Sequence, residues 1–451
     1  MEKIVSLAKR RGFIFQSSEI YGGIEGVYDL GPLGALMRQN IINFWIKKFV
    51  LEEENVVLIS GSCLMHPRVW QASGHLEHFT DFLIECKNCH KRYRADHLAE
   101  GKFLGQGKAK EKNQCPNCGS KNFTRPRVFN LMFKTFLGPV EDKTHQTYLR
   151  PETAQSMFVN FKNVLNSMRL KLPFGIAQIG RCFRNEITPG DFIFRLREFD
   201  IAEIEFFVKP GEDEKHFDIW VDKWEKFFLD LGIKKENLRR KEHPKEALAH
   251  YAKRTVDIEY KFPFGWSELA GIANRTDYDL KRHSQFSGEE LKYFDEEKKK
   301  KYFPFVIEPT LGIERLILAI LCDAFEEIPG GRTKTTKPTK EIEILLKLDK
   351  KVAPIKVAIL PLIKKNPKLV EKAREIYRML KPHFVCQYDE VGSIGRRYRR
   401  QDEIGTPYCI TIDFETLKQE DVTVRDRDTM EQERIKIKNL IPFLKEKLEE
   451  S

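Results

Sequence analysis

What the sequence lacks narrows its function first. No apolar run reaches the roughly 18 residues that a membrane helix needs, so no membrane partner is expected. The N-terminal MEKIVSLAKRRGF has neither an apolar core nor a small-residue cleavage site, and it is not expected to be a secretory signal. No Gly-x-x-x-x-Gly-Lys-Ser/Thr run occurs, which excludes nucleotide binding of the P-loop kind. Cysteine is scarce, nine in 451 residues, and four of the nine fall in two CxxC pairs. An odd count with such pairs suits a reducing compartment and a metal site better than a disulfide framework. Charge of a single sign is also missing: 78 Lys and Arg against 67 Asp and Glu leave +11, without a histone-like tail. That excess favours a polyanionic partner but does not require one.

What is present includes 33 Phe, ample material for a core, over a length that suits two or three domains. The stretch Phe174–Val208 organises the rest. Two apolar segments, 174–182 and 193–208, flank Thr188-Pro189-Gly190-Asp191. Proline fixes φ and glycine tolerates a reversal, so the flanks are expected to pair as an antiparallel hairpin. Side chains alternate along strands, so Arg184 and Glu186 would share one face, as would Arg195, Arg197 and Phe199. On an isolated hairpin these groups would be solvated. On a large apolar sheet they form a cationic groove with an aromatic floor, where guanidinium forks suit phosphate and a ring suits a flat base.

Before the hairpin, residues 8–33 hold Gly22, Gly23, Gly26, Gly31 and Pro32 and read as loop and turn. A helix is expected from about 34 to 51. Its stripe of Met37, Ile41, Phe44, Trp45 and Phe49 reads as core packing, with a subunit interface as the alternative that a family resemblance of this helix and the strand after it implies. A strand at 56–58 leads toward Pro67. Cys86-x-x-Cys89 and Cys115-x-x-Cys118 have the spacing of four thiolates around one structural Zn²⁺, with a degenerate, metal-free ribbon as the alternative. Asp96 and His97 lie between the pairs and could be read as ligands, although four sulfurs suffice. The other cysteines read as small buried apolar residues. Tyr148–Gln155 reads as a helix start, where Glu152 either caps the helix or serves a site.

After the hairpin, residues 209–260 read as an inserted helical region, with Trp220, Trp224, Phe227 and Phe228 packed inward. Residues 265–275 read as a buried strand whose one acid, Glu268, needs a partner. Residues 287–301 read as a solvated charge run. Residues 305–320 read as strand, turn and helix, with Glu308 at the strand end and Arg315 in the first helical turn. The Gly-, Thr-, Lys- and Pro-rich segment 326–340 is expected to be a mobile loop. Strands at 357–360, 384–388 and 408–412 with a helix around 369–380 suggest a small α/β domain over 354–451, after a first domain of 1–353. Its Arg396, Arg397, Arg399 and Arg400 read as a solvated helix face or as a nucleic-acid contact.

Phe183-Arg184-Asn185-Glu186 resembles the second motif of class II aminoacyl-tRNA synthetases, Gly312-Ile313-Glu314-Arg315 the third, and the segment ending at Pro67 the first. YLRPETAQ at 148–155, RNEITPG at 184–190, REF at 197–199, GWSELAGIANRTDYDL at 265–280, EPTLGIER at 308–315, both CxxC pairs and PYCITID at 407–413 are similar to glycyl-tRNA synthetases of the homodimeric kind. The resemblance runs from about residue 13 to 435. It implies an α+β fold: an antiparallel class II sheet flanked by helices, a zinc ribbon inserted at about 82–125, a helical insertion at about 209–260, and a C-terminal α/β anticodon-binding domain. It implies a cytoplasmic homodimer that activates glycine with ATP and Mg²⁺ as glycyl-adenylate. The glycyl group then passes to the 3′ end of tRNA(Gly), with release of pyrophosphate and AMP.

The resemblance also implies roles for residues. Arg184 would bridge the α-phosphate and the amino-acid carboxylate, Arg315 would hold the γ-phosphate, and Phe199 would stack on adenine. Arg184, Arg315 and Glu268 are the expected catalytic set. Asn185, Glu186, Phe194, Arg195, Leu196, Arg197, Glu198, Leu269, Gly312, Ile313 and Glu314 would complete the ATP site. Glycine would be met among Arg94, Glu152, Phe199, Asp200, Ile201, Ala202, Glu203, Glu308, Pro309, Thr310, Leu311 and Gly312. Glu268 and Glu308 would hold Mg²⁺, the four CxxC cysteines Zn²⁺, and Arg396, Arg397, Arg399 and Arg400 would meet tRNA. No strong base is needed, because a carboxylate is already a nucleophile. A substrate without a side chain must be selected by lack of room for larger ones. Thr310 stands where the family pattern has Ser and Glu314 where Asp is common; neither change removes a hydroxyl or a charge. The alternatives are a synthetase-like protein without catalysis and a zinc-ribbon nucleic-acid module fused to another domain. The retained Arg184, Arg315, Glu268 and Glu308 argue against the first, and the other sequence blocks against the second.

Overall fold

The computed structural model describes residues 1–102, 107–332 and 342–449. A seven-stranded sheet organises the larger part. Its strands are β1 (Val56–Ile59), β2 (Phe174–Phe183), β3 (Glu198–Val208), β4 (Leu238–Glu242), β5 (Arg254–Phe262), β6 (Gly265–Thr276) and β7 (Phe305–Gly312). They lie in the order β4-β5-β6-β7-β3-β2-β1, antiparallel throughout except for β1 against β2. The central strand β3 is buried on both faces from Asp200 to Val208. Its apolar residues Ile201, Ala202, Ile204, Phe206, Phe207 and Val208 therefore show no strict alternation, and its acids Asp200, Glu203 and Glu205 are buried with them.

One face of the sheet is covered by α1 (Pro32–Ile46), α2 (Asp213–Asp230) and α3 (Ile313–Ala324). Pro32 occupies the first helical position of α1, where its missing N–H costs nothing. The α1 stripe turns inward within this chain. Met37, Ile41, Trp45 and Phe49 are buried, and the Phe49 ring lies 4.4 Å from Trp224 and 5.1 Å from Phe227. Of the two readings of that stripe, core packing is therefore the one realised. The opposite face packs on Phe158, Phe161, Phe174 and Phe207.

Several expectations are corrected. Strands β2 and β3 pair from Phe174↔Phe207 to Phe183↔Glu198, so their connection is the whole of 184–197 rather than a tight turn at 188–191. Arg195 and Arg197 consequently lie in a loop, and strand alternation does not aim them. Half of the expected helical insertion is sheet. Val256, Ile258, Tyr260 and Phe262 alternate with charged residues along β5, and Glu259 among these is neutralised by Arg239 and Lys241 of β4. The charges disguised a period of two. The charge run 287–301 contains a small hairpin, Tyr293–Asp295 with Lys300–Tyr302. Segment 326–340 begins as the strand Phe325–Pro329, paired with Ile342–Leu346; its residues 333–340 lie outside the described residues. Glu308 sits mid-strand in β7 rather than at its end. Among the described residues, no helix is long and apolar enough to cross a membrane.

The C-terminal sheet consists of β8 (Val357–Pro361), β9 (Cys386–Tyr388), β10 (Tyr408–Ile412), β11 (Asp421–Asp426) and β12 (Gln432–Lys436), in the order β9-β8-β10-β11-β12. The first three are parallel. Helix α4 (Pro367–Leu380) packs on one face with Val357 and Ile359; α5 (Ile394–Asp402) packs on the other with Ala358 and Leu360. Arg332 fastens this unit to the first. It donates to Glu343 at 3.0 Å, to Asp402 at 2.7 Å and to the carbonyl of Arg427 at 2.6 Å. Arg425 shares Asp402 from the other side, at 2.9 and 3.1 Å.

The entry of α1 is the tightest backbone approach. A Cβ at Gly34 would lie 2.0 Å from the Phe13 carbonyl oxygen. Gly34→Ala is expected to cost about 1–3 kcal/mol or more through overpacking. A lowered urea midpoint would show it, and an unchanged midpoint would mean that α1 can shift without penalty.

Candidate active site

A cavity of about 410 Å³ opens above the central strands. Loop 184–197 and the start of β3 supply Arg184, Glu186, Ile193, Phe194, Arg195, Leu196, Phe199 and Ile201; β6 supplies Glu268. The β7–α3 junction supplies Thr310, Leu311, Gly312, Glu314 and Arg315. The remaining wall is His78, Phe79, Thr80, Asp81, Arg94 and Leu131. Thr80, Asp81 and Arg94 belong to a three-stranded sheet of Thr80–Glu85, Arg92–Arg94 and Arg127–Asn130 that carries the CxxC pairs, and His78, Phe79 and Leu131 flank it.

The arginines are seated before any ligand arrives. Arg184 lies 5.4 Å from the Phe79 ring and 5.3 Å from Phe199, and its Nε donates to the Pro151 carbonyl at 3.1 Å. Arg315 rests 4.4 Å over Phe194 and donates to the Glu268 carbonyl at 3.0 Å, with the Glu268 carboxylate 3.3 Å away. Phe194 is itself held edge-on by Phe262 and Phe264, each at 5.1 Å. Arg195 faces Glu186 at 3.5 Å. Rings fix a guanidinium without neutralising it, so the cavity keeps positive charge for an anion.

Other expected site residues lie elsewhere. Arg197 is spent on the Glu186 carbonyl, at 3.0 and 3.3 Å, and on the Glu25 carbonyl, so it ties the loop to the N-terminal turn instead of facing a nucleotide. Leu269, Ala202 and Ile313 are core residues behind the wall, and Pro309 is buried outside it. Asn185 joins the loop to Leu131 through its backbone. Glu198 faces Arg181 at 3.4 Å, and Asp200 is held by Arg38 at 2.7 Å and Arg181 at 3.1 Å. The Asp200 N–H donates to Glu314 at 2.8 Å. Burial, and then the charge of Asp200, pushes the Glu314 carboxyl up to about 7. Arg94 lines the cavity, but Asp81 and Asp96 hold it, each at 2.7 Å.

Beneath the cavity lies a second, polar layer. Its centre is Arg275, fully buried, which donates twice to Asp279 (2.8 and 2.9 Å) and once to Glu308 (2.5 Å) and stacks 4.0 Å from Tyr251. Glu152 faces His75 at 3.3 Å and Gln155 at 3.0 Å, ahead of the helix Ala154–Val159, so it does not cap that helix. Glu203 accepts from Thr153 at 2.5 Å. Glu203, Glu205 and Glu308 have oxygens within 4.8 Å of one another, and among the described residues neither oxygen of Glu205 has a hydrogen-bond partner. Burial pushes all three carboxyls up; a neighbouring carboxylate adds to this, Glu308 beside Glu205 and Glu152 beside Glu203.

Metal expectations divide. Glu268 is exposed on the rim rather than buried in a strand, whereas Glu308 is paired to Arg275 in the lower layer, so the structure does not bring the two together around one ion. The four cysteine sulfurs do converge: Cys86 and Cys118 are 3.5 Å apart, Cys89 and Cys115 3.6 Å, and all lie within 4.8 Å. A tetrahedron of thiolates at the usual zinc distance has edges of about 3.8 Å. Asp96 is taken by Arg94, so it offers nothing to that centre. In the C-terminal unit, Arg397 is buried on the carbonyls of Pro361, Leu362 and Asp389, and Arg400 is paired to Asp389. Arg396 is exposed.

Sequence reasoning missed residues 78–81 and 131, because they flank the CxxC insertion and carry no motif of their own. It also missed Arg275, although an Arg followed by an acid four residues on was a usable sign.

Two family models match the chain: "tRNA synthetase class II core domain (G, H, P, S and T)" over residues 133–323, and "Anticodon binding domain" over 356–447. The glycine–tRNA ligase of Clostridium acetobutylicum is 53% identical, over 99% of this chain and 98% of that protein. Those of Thermobifida fusca and Geobacillus kaustophilus are 50% and 52% identical, each over 99% of this chain. The crystal structure of prolyl-tRNA synthetase from Cryptosporidium parvum superposes with a TM-score of 0.65 at 18% identity, covering 99% of this chain and 77% of that one, a likeness of fold.

Two outcomes follow from the polar layer. Arg275→Leu would strand Asp279 and Glu308 and is expected to cost about 3–5 kcal/mol in urea unfolding; a loss under about 1 kcal/mol would contradict this. Glu205 has a folded value above its ordinary 4.5. Its protonated form therefore contributes stability that is complete below that value and is lost as pH rises toward the folded one, at roughly 1.4 kcal/mol per unit. Glu205→Gln should melt with a shallower pH dependence as pH rises above 4.5. Parallel curves would mean that Glu205 is already ionised in the folded protein.

Proposed function

The chain belongs to the glycine–tRNA ligase family, and its activity is the ligation of glycine to tRNA; on that premise we propose how the cavity carries the reaction out. The glycine carboxylate attacks the α-phosphorus of ATP, the bond to the β-phosphate breaks, and pyrophosphate leaves. The terminal ribose hydroxyl of tRNA(Gly) then attacks the glycyl carbonyl, loses its proton, and AMP departs.

The observation that carries this reading is the pair of ring-seated guanidinium groups, Arg184 and Arg315, facing one cavity. Arg184 opposes the charge that builds on the α-phosphate, and Arg315 holds the far end of the triphosphate. Phe199 offers adenine a flat surface, and Arg195 adds positive charge beside it. Glycine's ammonium is met from the polar layer by Glu152, Glu203 and Glu308. Thr310, with its extra methyl, and Leu311 crowd any larger side chain. Mg²⁺, when bound, offsets phosphate charge; Glu268, exposed beside Arg315, is placed to hold it, and we assign Glu308 to glycine instead.

Zn²⁺ in the four-cysteine site would be structural, since four thiolates leave no open position. A homodimer is supported not by the α1 stripe but by Leu58, exposed on the edge strand β1, with Leu51 exposed before that strand and Leu64 after it. The C-terminal unit would hold tRNA, and the work of such a ligase lies in the cytoplasm.

Arg184→Ala should lower glycine-dependent ATP–pyrophosphate exchange by at least about 100-fold with an unchanged circular dichroism spectrum. Near-normal exchange would remove its central role, and exchange driven by another amino acid would overturn the glycine assignment. Elemental analysis should find about one zinc per chain. A folded protein that never carried metal would refute the closed thiolate site.

A further inference from the structure

The insertion that carries the cysteines has little apolar material with which to hold itself together. Its buried cluster among the described residues is Ile84, Cys86, Tyr93, Leu98 and Cys115, and two of these are themselves candidate metal ligands. A unit with so small a core folds on its metal. Tyr93 is the largest side chain of that cluster. Its hydroxyl lies 3.4 Å from the Cys115 sulfur, and Phe123 meets its ring edge-on at 6.4 Å. A metal-bound thiolate can only accept, so the hydroxyl donates.

The next residue points the other way. Tyr93 and Arg94 are neighbours on the edge strand Arg92–Arg94, and successive side chains of a strand take opposite faces. Tyr93 therefore enters the cysteine cluster while Arg94 lines the cavity. Asp81 and Asp96, each at 2.7 Å, fix the Arg94 guanidinium. The Arg94 backbone N–H donates to the Thr188 hydroxyl at 3.3 Å, which joins the insertion to loop 184–197. A second tie runs from the Asn185 N–H to the Leu131 carbonyl at 2.8 Å, just past the strand Arg127–Asn130 of the same sheet. The loop that begins with Arg184 is thus fastened to the insertion at two points.

We propose that Tyr93, Arg94 and Thr188 form a mechanical link through which the four-thiolate centre holds loop 184–197 over the cavity. Tyr93 and Thr188 are positioning residues. At one end, the Tyr93 hydroxyl orients and steadies the Cys115 thiolate, as a hydrogen-bond partner behind a metal ligand does. At the other end, the Thr188 hydroxyl fixes the loop that brings Phe194 and Arg195 to the cavity wall. Loss of the metal would free the Tyr93 ring, then the three-residue strand, then the loop. The proposal rests on the reading of the four cysteines as a zinc site.

The test uses the full chain before and after zinc is withdrawn by a chelator, with trypsin as the probe of order. Withdrawal should speed cleavage after Arg195, in the loop, by at least about 10-fold, together with cleavage inside the insertion. Tyr93→Phe, which deletes only the hydroxyl, should yield zinc to the chelator about 10–100-fold more readily. Thr188→Val should hold zinc as tightly as the parent protein. It should nonetheless be cut after Arg195 about fivefold faster, and its KM for ATP in pyrophosphate exchange should rise by about the same factor. A loop that stays as resistant once zinc is gone, parent-like zinc retention in Tyr93→Phe, or a Thr188→Val protein cut no faster would overturn the proposal. A parent protein that carries no metal while its insertion resists trypsin would instead overturn the zinc reading.

Discussion

Like charges confined to one cavity repel, and this chain's central problem is to keep several arginines aimed there without cancelling them. Aromatic seats solve it for two. Phe79 and Phe199 flank Arg184, and Phe194 lies under Arg315. A carboxylate partner fixes a guanidinium more firmly but spends its charge, in part for Arg315, with the Glu268 carboxylate 3.3 Å away, and more fully for Arg94 between Asp81 and Asp96. The sheet beneath supplies rigidity, because Phe194 is wedged against Phe262 and Phe264 of the β5–β6 hairpin. Preorganisation of this kind removes the reorganisation cost at the moment charge develops.

The acid layer below is the counterweight. Arg275 is the cation that permits Asp279 and Glu308 to be buried together. Glu205, with no partner for either oxygen, is best accommodated as the neutral acid. An ammonium has donors only, so the acceptor oxygens of this layer, and the charge of any carboxyl that ionises, are what it can offer to such a group.

The sequence was most legible where chemistry and turn signals coincide. Arg184, Arg315, Phe199 and Thr310 reach one cavity from separate blocks, and the strands at 357–360 and 408–412 stand where periodicity puts them. It was least legible where charge masked burial. Strand β5 read as part of a helical insertion because its charged residues, Glu259 among them facing Arg239 and Lys241 across the ladder, hid the alternation. Glu268 looked buried because its neighbours are apolar, yet it stands at the rim. Arg197 and Arg397 looked like ligand contacts, but each guanidinium is consumed by backbone carbonyls, a fate that composition cannot distinguish from readiness for phosphate. The cavity wall from 78 to 81 was invisible, because it is assembled by an insertion folding back over the site.

The clasp around Arg332 has a consequence for how a long substrate is accepted. With Glu343 on one side and Asp402 and the Arg427 carbonyl on the other, the C-terminal sheet cannot swing away without stranding charge that is nearly out of solvent. Parting such a group from its partners costs about 3–5 kcal/mol. The span between cavity and distal loops is thus held by this clasp rather than left to a hinge.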